Sequence, residues 1–369
     1  MIPSEQRIVA TKIIICLDGC GPEYLAKSDT PNLDALARQG FSTIGRAIVP
    51  TVTNVNNATI VTSSFPQAHG ITSNYFRDHS TGKEVYMESA EFLLKETIFR
   101  QATKKGKKSV LLTAKDKLKT LIGDGATVSE SAEKPPAWLI DRIGHPPDIY
   151  SIEINHWLFR AARDVLAKDS PDLLYVSTTD YASHLLAPED DRSQWNINQL
   201  DRLLGDILNV SPNFEIVVTA DHGMNSKTCA LDLALILKRG RIAANAIPII
   251  KDRYVVHHQN LSGSAYVYLD DIATTDEAMS LLKEEKGVEA VLPSIKAAKR
   301  YHLHLDRIGH FFVLADANTV FGTLPSIREE INVRSHGSLH ECQIPIYAYG
   351  PGPMSVLPKS NHNVAAWVI

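Results

Sequence analysis

Cysteine is scarce in this chain of 369 residues. Cys16, Cys20, Cys229 and Cys342 are scattered, and no two form a CxxC pair. The pattern excludes a disulfide framework and reads as reduced, mostly buried thiols. Long apolar runs are also missing, and none reaches membrane-spanning length. The opening, Met1-Ile2-Pro3-Ser4-Glu5-Gln6-Arg7, has no basic segment leading into an apolar one, so a cytoplasmic protein is expected. Neither sign of charge is in excess: 38 Lys+Arg against 42 Asp+Glu leave a net charge of −4. Steering of nucleic acid is thereby excluded, and basic residues can act only locally. Repeats and low-complexity tracts are absent too.

What is present is the composition of a soluble globular protein, 44% apolar and 22% charged, with length enough for a large core and two domains. Four short apolar runs, residues 12–17 (KIIICL), 109–113 (SVLLT), 173–177 (LLYVS) and 215–219 (EIVVT), read as buried parallel strands. Between them lie helix signals. Thr30-Pro31-Asn32-Leu33 starts one that Gly40 stops, residues 156–167 are amphipathic, and residues 195–208 carry apolar side chains at helical spacing. Strands and helices alternating in this way predict an α/β fold, a doubly wound and mostly parallel sheet covered on both faces. The expected core is 1–114, 148–239 and 323–369. Residues 115–147, rich in Gly, Ser, Glu and Pro, read as an inserted flap. Residues 240–322 read as a smaller α+β cap insertion.

In such sheets ligands bind beyond the carboxyl ends of the strands. Asp18, Lys115, Lys117, Asp180, Asp221 and His222 all fall just past those ends. Residues 49–76 add a loop that places the hydroxyl of Thr53 at a helix N-terminus, where free N–H groups and positive partial charge favour an anion. A threonine in that place is usually an N-cap; the other candidate role is nucleophile. Asn74, in a turn-like Thr-Ser-Asn, is the candidate oxyanion donor.

The candidate metal ligands in chain order are Asp18, Thr53, Asp180, His184, Asp221, His222 and His336. Carboxylate oxygen and imidazole nitrogen suit hard and borderline divalent ions. Asp180 and His184, four apart, face one way if a helical turn follows the strand. Adjacent Asp221 and His222 cannot share a face, which suits two metals or a bridging role. Three carboxylates, three imidazoles and a hydroxyl supply two sites of about four ligands each, the arrangement that clamps a phosphoryl-type transition state.

On these residues the chain resembles the alkaline phosphatase superfamily. The shared signatures are the strand ending in Asp18-Gly19, Thr30-Pro31-Asn32-Leu33, the Thr53 loop, Asp180-x-x-x-His184, Thr219-Ala220-Asp221-His222-Gly223-Met224 and Ser335-His336-Gly337. Within it, the chain is most similar to the phosphonoacetate hydrolases, relatives of the nucleotide pyrophosphatase/phosphodiesterases. That narrower match rests on residues 52–57 (VTNVNN), Ser73-Asn74-Tyr75, Ala114-Lys115-Asp116-Lys117-Leu118 and Asp306-Arg307-Ile308-Gly309; His310 stands where an acid is expected. The resemblance implies two Zn²⁺, one held by Asp180, His184 and His336, the other by Asp18, Thr53, Asp221 and His222. It implies Lys115 and Lys117 on the substrate carboxylate, and hydrolysis of phosphonoacetate to acetate and phosphate through a phosphothreonine at Thr53.

Two lysines two apart share a side in extended chain, so an extended segment is expected there. Cys20-Gly21-Pro22-Glu23-Tyr24 lacks the arginine of the sulfatase motif C-x-P-x-R. The alternatives are a phosphodiesterase of the nucleotide pyrophosphatase type and, in another class, a non-enzymatic metal-binding protein. The expected partner is a small phosphonate, with no nucleic acid and no membrane; a homodimer is left open.

Overall fold

The protein is described from a computed structural model covering residues 10–211, 213–253, 259–350 and 357–368. Seven strands form the central sheet, in the order Phe41–Arg46, Gln343–Tyr349, Phe214–Thr219, Thr11–Cys16, Leu173–Ser177, Ser109–Thr113, Val128–Ser131. Thr11–Cys16 pairs in parallel with both Leu173–Ser177 and Phe214–Thr219. Ser109–Thr113 pairs in parallel with Leu173–Ser177 and Val128–Ser131. Only Gln343–Tyr349 runs against its neighbours. Ile13, Ile14, Ile15, Leu174, Tyr175, Val176, Val217 and Val218 are buried, as expected of central strands covered on both faces. Helices Ile154–Asp169 and Asp191–Leu208 carry their apolar residues on the faces they bury.

Residues 115–147 are not a flap. They fold as helix Asp116–Ile122, strand Val128–Ser131 and helix Ala137–Ile143, and the strand closes one edge of the central sheet. Its sequence, VSES, is short and half polar because an edge strand needs less apolar cover than a central one.

Between residues 225 and 335 the chain leaves the central sheet. Strands Ala244–Pro248, Ser264–Leu269, Phe311–Ala315 and Val288–Pro293 make an antiparallel sheet, and Thr319–Phe321, Asn225–Leu231 and Arg328–Ser335 make a three-stranded one. The second layer therefore begins near residue 225, earlier than the expected 240. Leu233, Ile236 and Leu237 of the following helix pack into its own core with Ala278 and Leu282.

The four-stranded sheet is buried on both faces, and its strands alternate accordingly. Ala265, Val267, Leu269, Phe311, Val313 and Ala315 face that second core. Tyr266, Tyr268, Phe312 and Leu314 belong to the main core. Among the described residues no helix is long and apolar enough to cross a membrane. Cys16, Cys20 and Cys342 are buried and Cys229 is partly so, all four as free thiols.

Candidate active site

The strand ends deliver the acidic groups. Asp18 follows Thr11–Cys16, Asp180 follows Leu173–Ser177, and Asp221 follows Phe214–Thr219; all three are buried. Asp180 leads into helix Tyr181–Leu185, whose turn brings His184 Nε2 to 3.0 Å from Asp180 Oδ2. His336, just past Arg328–Ser335, puts its Nε2 3.5 Å from the same oxygen. His222 Nε2 lies 3.5 Å from Asp18 Oδ1 and 3.6 Å from Asp221 Oδ2. Asp180, His184 and His336 form one group whose ligand atoms lie within 4.8 Å of one another; Asp18, Asp180 and His222 form another.

Thr53 is the first residue of helix Thr53–Thr62. Val52 occupies the N-cap position, and no side chain caps the helix. The threonine hydroxyl is instead 3.3 Å from Asp18 Oδ1 and 3.3 Å from His222 Nε2. It is thus directed into the acidic cluster, which removes the capping interpretation.

The preceding loop is held by one side chain. Asn56 accepts from Ile48 N at 2.7 Å and reaches the carbonyls of Ile48, Pro50 and Val52 at 3.0–3.3 Å. Asn57 binds Asp221 Oδ2 at 3.3 Å, while its own oxygen accepts from Tyr175 OH and Ser177 Oγ at 2.7 and 3.0 Å. Neither asparagine is among the sequence-derived candidates. Their signal was two adjacent amides in a helix whose other neighbours are apolar, because a buried amide needs partners.

The donor set fits divalent cations. Each imidazole turns its Nδ1 to a backbone carbonyl: His184 to Arg334 at 2.7 Å, His222 to Gly223 at 2.9 Å, His336 to Thr51 at 2.7 Å. A carbonyl only accepts, so this network assigns a proton to Nδ1 and turns each Nε2 toward the carboxylate oxygens. For a neutral His222 that sets acceptor against acceptor, and a cation between them resolves the conflict. Burial, with His336 alongside, pushes His222 down to about 4, so it stays neutral at ordinary pH. Burial and the neighbouring carboxylates raise Asp18 well above the usual carboxylate range, and burial lifts Asp221 to about 6.

Asp221 stands slightly behind the others. Its Oδ1 accepts from the backbone of Gly19 and His222 at 3.1 and 2.9 Å. Asp180, not Asp221, is therefore the acid common to both groups.

A pocket of about 650 Å³, including its open mouth, is lined by Asp18, Thr53, Asn74, Lys115, Asp180 and His336, and also by Lys117, Glu88 and Asp252. Asn74 Oδ1 is buried with no partner among the described residues. Lys115 Nζ is 3.3 Å from Asp180 Oδ1; burial would lower its pKa, but Asp180 and Asp18 outweigh that and the net direction is up.

The lysine segment is not extended. Lys115 is the N-cap of helix Asp116–Ile122 and Lys117 sits in its first turn. A turn of helix would place the two ammonium groups on different sides, yet both side chains line the pocket because Lys115 still has extended backbone. Behind the site, the fully buried Lys227–Glu341 pair (2.8 Å) anchors Ser338, whose backbone N–H and hydroxyl donate to Glu341 at 3.0 and 2.7 Å. Arg307, of the Asp306-Arg307-Ile308-Gly309 run, lies outside the pocket and binds the carbonyls of Gly70 and Phe92.

Residues 12–339 match the family described as type I phosphodiesterase / nucleotide pyrophosphatase. A phosphonoacetate hydrolase from Sinorhizobium meliloti, solved with phosphonoacetate, is 32% identical, with TM-score 0.87 over 96% of this chain and 94% of that one. Murine ectonucleotide pyrophosphatase / phosphodiesterase 5 shares the fold at 18% identity, TM-score 0.69, over 96% of this chain and 93% of that one. Among curated proteins, a venom phosphodiesterase of Naja atra and an uncharacterised pyrophosphatase/phosphodiesterase of Schizosaccharomyces pombe are each 27% identical, over 59% and 58% of this chain. The matches span only 26% and 45% of those two relatives' own lengths.

Proposed function

Since the chain belongs to the type I phosphodiesterase / nucleotide pyrophosphatase family of hydrolases, we propose that it cleaves the P–C bond of phosphonoacetate to acetate and phosphate, using two zinc ions. One observation carries this reading: Lys115 and Lys117 line the same pocket as Thr53, Asp18, Asp180 and His336. A substrate that is phosphonate at one end and carboxylate at the other needs cations at both. The 32% identity with the phosphonoacetate hydrolase of Sinorhizobium meliloti supports it.

Asp180, His184 and His336 would hold one ion, and Asp18, Thr53, Asp221 and His222 the other, with Asp180 close to both. Bound there, the ions supply Lewis acidity and a lowered hydroxyl pKa. Thr53 Oγ1 attacks phosphorus and becomes a phosphothreonine. The Asn74 amide and the Thr53 backbone N–H hold the equatorial oxygens. Lys115 and Lys117 grip the carboxylate. As the P–C bond breaks, its electron pair passes to the carbon and into that carboxylate as an enolate-like acetate; the lysines neutralise the growing charge, and the carbon takes a proton. Water then opens the phosphothreonine, releasing phosphate and restoring the hydroxyl.

The test is turnover of phosphonoacetate beside a nitrophenyl phosphodiester, on zinc-loaded protein. Acetate and phosphate in equal amounts are expected. Turnover of the diester alone would hand the lead to a nucleotide phosphodiesterase. That second reading is favoured by the names of the curated relatives.

A further inference from the structure

Asn57 is fully buried on the helix that Thr53 opens, one turn further along. Its Nδ2 donates to the Thr53 carbonyl at 3.1 Å and to Asp221 Oδ2 at 3.3 Å. Its Oδ1 accepts from Tyr175 OH at 2.7 Å and from Ser177 Oγ at 3.0 Å. Both donors and both acceptor sites are in use, the full capacity of an amide. The reverse orientation would set Oδ1 against the Thr53 carbonyl and an ionised Asp221, which only accept, so the amide has one stable setting. Tyr175 and Ser177 stand two apart on one face of Leu173–Ser177, the strand that leads to Asp180.

Asp221 depends on this contact for a specific reason. The last torsion of an aspartate is soft, so hydrogen bonds set the plane of its carboxylate. The backbone donors of Gly19 and His222 both fall on Oδ1. Oδ2 faces His222 Nε2 at 3.6 Å and takes its hydrogen bond from Asn57. Asp18 also bonds to Asp221, but a bond between two carboxyl groups needs a proton, and a cation bound there displaces it. The Asn57 donor survives that loss.

We propose that Asn57 is a positioning residue for the ion assigned to Asp18, Thr53, Asp221 and His222. It ties the Asp221 carboxylate to the helix that bears the nucleophile, so that ligand and nucleophile keep one spacing. This rests on the two-ion reading of the site and not on the identity of the substrate.

The test is a zinc titration of Asn57→Leu, which replaces the amide by an apolar group of similar shape. Affinity for one of two ions should fall about 10–100-fold, as loss of a group that orients a ligand does, and the other should hold. Thr59→Val is the control for stability. It lies on the same helix, and its hydroxyl bonds Val55 O and His69 Nε2 instead. It should lower Tm and leave both affinities unchanged. Asp221→Ala is expected to keep the ion of Asp180, His184 and His336. Adding Asn57→Leu to it should leave that ion's affinity unmoved, because the group through which Asn57 acts is gone. If Asn57→Leu does not fold, Tyr175→Phe carries the test: it removes one bond that sets the amide, and a smaller loss confined to the same ion is expected. Equal loss of both ions, a loss matched by Thr59→Val, a further loss in the Asp221→Ala background, or no loss at all overturns the proposal. Wild-type protein that binds no zinc removes the two-ion reading and this one with it. Two bound zinc ions without turnover of phosphonoacetate remove only the substrate reading.

Discussion

The ring of His336 lies on that of His222, with centroids 3.7 Å apart and planes 11° apart. Two imidazoles assigned to different ions thus share a wall, and each is fixed from behind through its Nδ1. For His336 the fixing group is the Thr51 carbonyl, and the Thr51 hydroxyl in turn donates to Ser338 O at 2.8 Å and accepts from Gly337 N at 3.0 Å. Thr51→Val keeps the shape and removes both bonds. Stability should drop by about 1–3 kcal/mol, the cost of orphaning buried polar groups. Affinity for one of two ions should drop about 10–100-fold. Thermal unfolding and a zinc titration read the two effects separately.

Asp180 is common to both ligand groups. Asp180→Asn should therefore weaken both ions, whereas His336→Ala should weaken one. Metal stoichiometry after dialysis distinguishes them; a single ion lost from Asp180→Asn would mean the acid serves one site only.

Thr53 contributes a hydroxyl that caps nothing. Thr53→Ala should keep its metal and lose turnover by about a thousandfold or more, as removal of a nucleophile does. Near-normal rates would point to direct attack by water.

Lys115→Ala/Lys117→Ala should lower kcat/KM for phosphonoacetate by on the order of a hundredfold, given charge-assisted hydrogen bonds of typical strength. An uncharged aryl phosphate ester should be far less affected. Equal losses on both substrates would reduce the lysines to support of the fold.

Two carboxyl groups of the site, Asp18 and Asp221, hold their protons to higher pH than a free carboxyl in metal-free protein. Asp221, at about 6, and Asp18, raised well above the usual carboxylate range, both lie above their unfolded values. A raised folded pKa stabilises fully below the unfolded value and loses that contribution as pH rises through the folded one. Metal-free protein should therefore become less stable as pH rises from about 4 through about 6. Zinc replaces those protons, so the rise in Tm on adding zinc should grow over the same window. Calorimetry in two buffers should find protons released at pH 5.5 and fewer at pH 8. A zinc-induced Tm shift that shrinks between those pH values would contradict the assignment.

Much of the site could be read along the chain because its acids follow apolar runs: Asp18 after KIIICL, Asp180 after LLYVS, Asp221 after EIVVT. Each run is long enough to mark a buried strand, and the turn after it is where a parallel sheet binds ligands. What stayed hidden depends on distant partners. Asn57 acts through Asp221, 164 residues away, and Lys227 through Glu341, 114 away, so local sequence carries no sign of either contact. Val128–Ser131 was obscured for a different reason, since a short strand on a sheet edge carries too few apolar residues to stand out. The geometry of Lys117 turned on one residue of backbone, which spacing does not determine.

The second layer is fastened rather than hinged. Tyr266, Tyr268, Phe312 and Leu314 send one whole face of its four-stranded sheet into the main core. Swinging that sheet away would return those side chains to water, at about 1.5–3 kcal/mol for each large apolar group. Thermal motion rarely meets such a sum. The stretch of pocket wall that this sheet carries, Ile250 just after its Ala244–Pro248 strand, is therefore held as firmly as the core itself.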